Sequence, residues 1–532
     1  MNKIFEQLRK LSHIEPYYFY FFLLINLIPV LSFKFFPTVD GPAHLYNSNL
    51  IVELLKNPES TINDFFAFNH NINPNWTGHF LLSLFVSFLP GFLAEKIVLL
   101  IYLIGFPLSF RYLFKVLLIK NKYLIYLIFP FTYSFLFYYG FYNFNIGLIF
   151  FVFGVSFWIK YQNNLTIRNI VILTLFSSFI WLSHLFIFVI YLLVIFLFNI
   201  QYFIQIKRYD KIAIKIYLKN ILLQLVALSF GLVLMFKYIL TAPIENAPSV
   251  YLSFKDIFIS LKYIMPAKGI NYSEIGILTK LLLYVFTALI LYFTLRILYS
   301  IFKKNKVVFR NNIWLFTTII ILLLLFILPD YKGASIGFIS ARLMLFFFIF
   351  FIIWLASQNI ANWFNILIFL FVNYVNFALV LHNYRSVSTG CKLAEEIQNV
   401  SRYIKPNSTV LPILNTDNFI YGHISNYLGS DKPMIIFENY EASLNHFPLK
   451  WKYSSNHKLL FKNSVINNNC EFIRNPENKE LKTDYIFVID GENRILDKEC
   501  SNKIDELLSL NFELLCTRLN KTLRLYKNKN CP

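Results

Sequence analysis

The stretch ISARLMLFFFIFFIIWLA, residues 339–356, carries a single charge, Arg342, close to its start and is otherwise apolar almost throughout. A helix of that length comes close to crossing the hydrocarbon core of a bilayer, and a soluble fold has no surface on which to place such a run. Comparable runs lie on either side of it, at roughly residues 17–36, 92–112, 123–139, 143–159, 169–184, 185–203, 220–240, 277–299, 313–328 and 362–381. Lipid must therefore be the solvent for most of the chain, as the whole composition agrees: 57% hydrophobic residues, 15% charged residues and a mean hydropathy of +0.55. The expected fold is mainly α, a polytopic transmembrane helical bundle of about eleven spans over residues 1–382. Ordinary mixed polarity from 383 to 532 marks a C-terminal α/β domain outside the membrane.

The net charge of +20 does not point to nucleic acid, because the cations gather in short clusters beside apolar runs, where they meet lipid headgroups. Lys3, Arg9 and Lys10, then Arg111 to Lys122, Lys160 and Arg168, Lys207 to Lys219, and Lys303 to Arg310 all fall on one side if each run crosses once. The positive-inside rule makes that side cytoplasmic, so the N-terminus is expected inside and the C-terminal domain outside. Bacterial inner membrane is the expected location. The apolar segment His79–Leu89 is too short for a crossing and reads as a re-entrant or interfacial element. All five cysteines, Cys391, Cys470, Cys500, Cys516 and Cys531, lie in the C-terminal domain, a distribution that an oxidising compartment would permit. Within that domain Thr409–Leu414, Met434–Phe437 and Tyr485–Ile489 read as buried strands, Cys391–Tyr403 as a helix and Leu514–Leu525 as a hairpin.

The most informative polar stretch is PTVDGPAHLY, residues 37–46, directly after the first run. Leu45, Tyr46, Leu50, Ile51, Leu54 and Leu55 then recur at helical spacing, with Asn47, Ser48, Glu53 and Lys56 on the other face, as in a helix lying in the membrane interface. Asp40 stands at the entrance of that helix and His44 one turn further on. As an N-cap Asp40 would simply start the helix. As a carboxylate held at headgroup depth it would serve as a general base for an acceptor hydroxyl.

An acid just after the first span, a juxtamembrane helix, a Pro-containing segment before the next apolar run (NPNWTGH, 73–79), many spans and a C-terminal outer domain together resemble the GT-C superfamily of membrane glycosyltransferases. That resemblance implies a donor sugar carried on polyprenyl phosphate, an acceptor glycan, lipid or protein in the cell envelope, and inverting transfer at the extracytoplasmic face. It makes Asp40 the base, with His44 and His79 as substrate contacts. A divalent metal is compatible with the resemblance, although no Cys or His spacing assigns ligands and the later outer tip YGFYNFN, 139–145, has no acid.

In LPDYKGASIGFISARL, residues 328–343, Arg342 sits at the outer mouth of the run quoted first, where its guanidinium would grip a lipid-linked phosphate with Lys332 assisting. Snorkelling to headgroups is the plainer role for Arg342. Tyr440 and Glu441 in the NYEA segment, 439–442, with Trp451, would line an acceptor groove, or simply pack a loop. His184 reads as a turn or packing histidine, and Glu245 as a solvated loop residue. No phosphate-binding or dinucleotide loop occurs. Two other classes remain open at this stage: a transporter or flippase for a lipid-linked saccharide, and a noncatalytic membrane assembly partner.

Overall fold

The structure, a computed structural model, describes residues 2–163, 165–206, 211–241, 247–269, 272–303, 311–333, 337–444, 446–452, 483–491, 495–496 and 498–530. Glu245, the cations Lys207, Arg208, Lys304, Lys306 and Arg310, and Cys470 and Cys531 lie outside those residues. The chain comprises two compact units. The first contains residues 1–29, 100–137 and 144–386, and the second contains residues 30–99, 138–143 and 387–532.

The fold is mainly helical, and eight helices among the described residues are long and apolar enough to cross a membrane. Those stretches are Ile14–Leu31, Gly91–Val116, Tyr142–Tyr161, Leu185–Gln205, Ile212–Thr241, Gly276–Tyr299, Ile339–Ser357 and Asn362–Tyr403. Two further apolar runs form helices of less than membrane length, Ile167–Ser183 and Asn312–Ile327. The run at 123–139 departs from the expected single helix: it folds as the 3-10 helix Lys122–Phe131 followed by the short α-helix Phe135–Tyr138. Pro130 accounts for part of this, since it has no N–H to give and disfavours an α-helical residue before it.

In the first unit the stretch 339–357 is the best-buried helix, with 83% of its apolar window inside the protein, and it packs on Asn312–Ile327. The Lys211–Thr241 helix is the opposite case. Leu222, Leu225, Val226, Val233, Phe236 and Leu240 are exposed along it, as suits a helix whose solvent is lipid. Several hydroxyls inside these helices are satisfied locally: Thr317, Thr318 and Ser357 each donate to the carbonyl four residues back. Arg111, expected among the headgroup cations, instead makes a two-pronged pair with Glu15 at 2.9 and 3.2 Å.

The second unit contains a five-stranded sheet, ordered Ile435–Ile436, Thr409–Asn415, Tyr485–Asp490, Leu523–Asn528, Phe512–Arg518. The first three strands run parallel, and the last two form the expected antiparallel hairpin. Tyr485–Asp490 is buried at every residue, so its sequence reads as a continuous apolar run instead of an alternation. The helix expected over Cys391–Tyr403 is the continuation of Asn362–Val400, closed by a 3-10 turn at Ser401–Tyr403. A separate antiparallel pair, Phe66–Phe68 with Leu449–Trp451, joins the segment after the Gly41–Lys56 helix to the C-terminal part, and the rings of Phe66 and Trp451 lie 4.2 Å apart. Cys500 is disulfide-bonded, whereas Cys391 and Cys516 are free.

Candidate active site

The site begins with the Gly41–Lys56 helix, which starts where expected. Asp40 occupies its N-cap position, yet the Asp40 side chain makes no capping hydrogen bond; the Gly41 N–H donates to Thr38 Oγ1 at 3.1 Å instead. Asp40 is thereby released from the helix terminus. Its backbone N–H donates to Tyr139 O at 3.0 Å, which ties it to the tip at 138–143. Gly140 in that tip has φ +87, and a Cβ there would lie 2.7 Å from the Asp40 nitrogen, so only glycine fits without displacement. Its carbonyl accepts a hydrogen bond from His44 Nε2 at 3.0 Å.

The helix is not a surface element along its first half. Asn47 and Ser48, expected on its polar outer face, are buried together with His44, Leu45 and Tyr46. Ser48 Oγ donates to His44 O at 2.8 Å, whereas Asn47 is also satisfied from afar: its Nδ2 donates to Asn439 Oδ1 at 3.0 Å and to Glu441 Oε2 at 2.9 Å, and Asn439 Nδ2 donates back to Asn47 Oδ1 at 2.8 Å. The Tyr46 hydroxyl donates to Met434 O at 2.8 Å and accepts from the Ile436 N–H at 3.0 Å, joining the helix to the edge strand of the sheet.

Two ionisable groupings meet on this helix. In one, Glu441 lies between two imidazoles, paired with His44 Nδ1 through Oε1 and with His79 Nε2 through Oε2 at 2.8 Å. His79 comes from the short helix Thr77–Val86, whose Gly78 N–H donates to Asn143 Oδ1 at 2.6 Å. In the other, His423 stands with Nδ1 on Glu438 Oε1 and Nε2 3.7 Å from Asp40 Oδ1, its ring stacked on Tyr440 with centroids 4.2 Å apart. Glu438 is held in turn by Ser425 Oγ, at 3.1 Å, and by Asn426 Nδ2. Glu438, His423 and Asp40 form a line of carboxylate, imidazole and carboxylate.

Burial and charge pull these groups apart electrostatically. Desolvation pushes the Asp40 carboxyl up to about 6, against the opposing pull of His423 and His44. Glu441 is just as buried, which would raise it, but the two imidazoles outweigh burial and hold it at about 2. His44 and His423 behave alike: burial lowers each, and the facing carboxylate, Glu441 or Glu438, more than reverses that, so both are raised. One carboxyl is thus poised near neutrality, and its neighbour stays ionised.

Of the residues the sequence singled out, Asp40, His44, His79, Tyr440 and Glu441 come together in the second unit. Lys332 and Arg342 belong to the first unit: Lys332 is in a two-residue strand paired with Ser249–Val250, and Arg342 Nη1 donates to Gly337 O at 2.6 Å, with its guanidinium over the Phe144 ring. His184, read as a turn residue, caps the Leu185–Gln205 helix by accepting the Phe186 N–H at 3.1 Å. Trp451 donates its indole N–H to Asn439 O at 3.1 Å, which makes it a packing partner of the site.

The sequence reading did not single out His423, Glu438, Asn47 or Glu95. Glu95 is buried near the start of the Gly91–Val116 helix and accepts from the hydroxyls of Tyr142, at 2.9 Å, and Tyr427, at 3.0 Å. The density of polar residues in ENYE, 438–441, is the one signal that would have led to Glu438. Beside the site lies an apolar cavity of about 320 Å³, lined by Val52, Leu55, Phe68, Trp76, His79 and Phe80 among others. His79 is the cluster residue that reaches it; Asp40 is not among its walls. No protein-family model matches the chain, and no curated protein matches it.

Proposed function

We propose that this chain is a multi-pass membrane glycosyltransferase of the GT-C kind, moving a sugar from a polyprenyl-phosphate donor to an acceptor hydroxyl at the extracytoplasmic face with inversion. The observation that carries the reading is the line Glu438–His423–Asp40, with Asp40 free of any capping role and His423 Nε2 3.7 Å from its carboxylate. A carboxylate backed by an oriented imidazole suits a general base. The acceptor O–H proton passes to Asp40 while the acceptor oxygen bonds to the anomeric carbon. The anomeric C–O bond to phosphate breaks, and its electron pair leaves with the polyprenyl phosphate. Imidazolium character on His423 favours the ionised Asp40 before the proton arrives.

Three further features support the reading. A buried polar network is costly in so apolar a chain, and such networks gather where chemistry is done. The apolar cavity beside His79 suits hydrocarbon, as a prenyl chain requires. The Cys500 disulfide agrees with an extracytoplasmic C-terminal part.

The test is Asp40→Asn, compared with the unaltered protein in cells lacking the gene, with envelope glycans and polyprenyl-phosphate sugars measured by mass spectrometry. The expected result is a polyprenyl-phosphate sugar that accumulates in the deletion strain, is consumed when the unaltered protein returns, and stays high with Asp40→Asn at equal membrane level. Full consumption by Asp40→Asn overturns the base assignment. Transbilayer movement of the sugar in proteoliposomes, with no new glycosidic bond, overturns the transferase reading.

A further inference from the structure

We infer that His44, His79 and Glu441 form a binding site for a divalent metal ion of the zinc class. Among the described residues these three donor side chains converge, each buried, with their ligand atoms within 4.8 Å of one another. The argument rests on where the ring protons must sit.

His44 Nε2 lies 3.0 Å from Gly140 O, and His79 Nδ1 lies 3.3 Å from Asn75 O. A backbone carbonyl only accepts, so each of those nitrogens carries a hydrogen. In neutral imidazoles the remaining nitrogens, His44 Nδ1 and His79 Nε2, are then bare lone pairs. Both face the Glu441 carboxylate, which is itself an acceptor. Three acceptors turned toward one point require a positive centre among them: either a second proton on each imidazole, or one cation.

One ion can satisfy all three at once by drawing lone pairs from different directions: His44 Nδ1 pairs with Glu441 Oε1, and His79 Nε2 lies 2.8 Å from Glu441 Oε2. The outer hydrogen bonds have the expected form as well. Histidines that ligate metals characteristically donate the opposite ring N–H to a backbone carbonyl, which fixes the tautomer, and here both do. Glu441 is likewise oriented from behind by Asn47 Nδ2 at 2.9 Å. Two imidazoles and a carboxylate are a zinc donor set that leaves a fourth tetrahedral position for water or a substrate oxygen. Bonds of about 2.0–2.2 Å place such donors roughly 3–3.5 Å apart, so an ion enters as Glu441 draws back from the imidazoles it now pairs with.

The site draws its ligands from the helix Gly41–Lys56, the helix Thr77–Val86 and the 3-10 turn Glu441–Ser443. A bound ion would fasten two neighbouring helices to a turn more than 350 residues further along the chain. The inference stands without the transferase reading, because it concerns ligation alone.

The test uses full-length protein without a histidine tag, purified in detergent from zinc-supplemented cells. Zinc is measured by mass spectrometry, and Co²⁺ added to chelator-stripped protein is followed by visible absorption. About one zinc per chain is expected, together with an intense tetrahedral cobalt band that added Zn²⁺ abolishes. His79→Gln and Glu441→Gln should each lose the band and the retained zinc. Should either variant fail to fold, the cobalt titration of the unaltered protein decides by itself. Zinc well below stoichiometric with no cobalt band overturns the site, and so does zinc retained equally in both variants.

Discussion

Helix hydroxyls of the first unit and the buried cluster of the second keep polar groups satisfied out of water in different ways. In the first unit the hydroxyls turn back on their own helices: Thr317, Thr318 and Ser357 each bond four residues behind them. In the second, Asn47 reaches Glu441, Tyr46 reaches Met434, and His79 reaches Glu441, all across several hundred residues of chain. Local satisfaction makes a polar group nearly silent about tertiary structure, because the helix alone provides its partner. Long-range satisfaction makes each group depend on the fold and the fold depend on it. The first unit has long-range pairs as well, Arg111 with Glu15, Asn365 with Asn121 and Asn376 with Tyr126 O, and they belong with the second kind.

The sharpest way to break this contrast is Glu441→Ala, which leaves two buried imidazoles and Asn47 facing an empty site. Stripping one partner from a buried ionic group costs about 3–5 kcal/mol, so chemical unfolding in detergent should show a large loss of stability. Tyr46→Phe comes next. It removes a hydroxyl that both donates and accepts, leaving the Met434 carbonyl and the Ile436 N–H short of a partner, for about 1–3 kcal/mol by the same measurement. Thr317→Val should change stability by less than about 1 kcal/mol, because only a bond within one helix is lost. A Thr317→Val loss as large as that of Tyr46→Phe would erase the distinction between the two kinds.

The same distinction explains what was legible in the sequence. Apolar runs announce themselves, because lipid-facing helices must be apolar on every side, and ten of the expected spans coincide with helices in the structure. The run at 123–139 passed for a span because its composition is right; Pro130 and the break before Phe135 were the contrary signals. Asp40 and His44 stood out because a local motif, an acid before a Gly-Pro helix start, is visible at short range. Asn47 and Ser48 were misplaced for a related reason. Helical periodicity puts polar residues on a wet face, and it carries no trace of Asn439 and Glu441 waiting some 390 residues away to make that face dry. His423 was invisible because its neighbours in sequence, Gly422 and Ile424, carry no chemistry, and its meaning comes only from Glu438 and Asp40.

The central claim is that two helices near the start of the chain and a turn near its far end carry one coupled cluster. A double-mutant cycle on His79→Ala and Glu441→Ala, read by unfolding in detergent, measures that coupling directly. Strong non-additivity, about 1 kcal/mol or more, is expected, because the second substitution removes a partner already lost. Stability losses that add to within about 0.3 kcal/mol would contradict the claim, for they would mean that the two side chains do not meet.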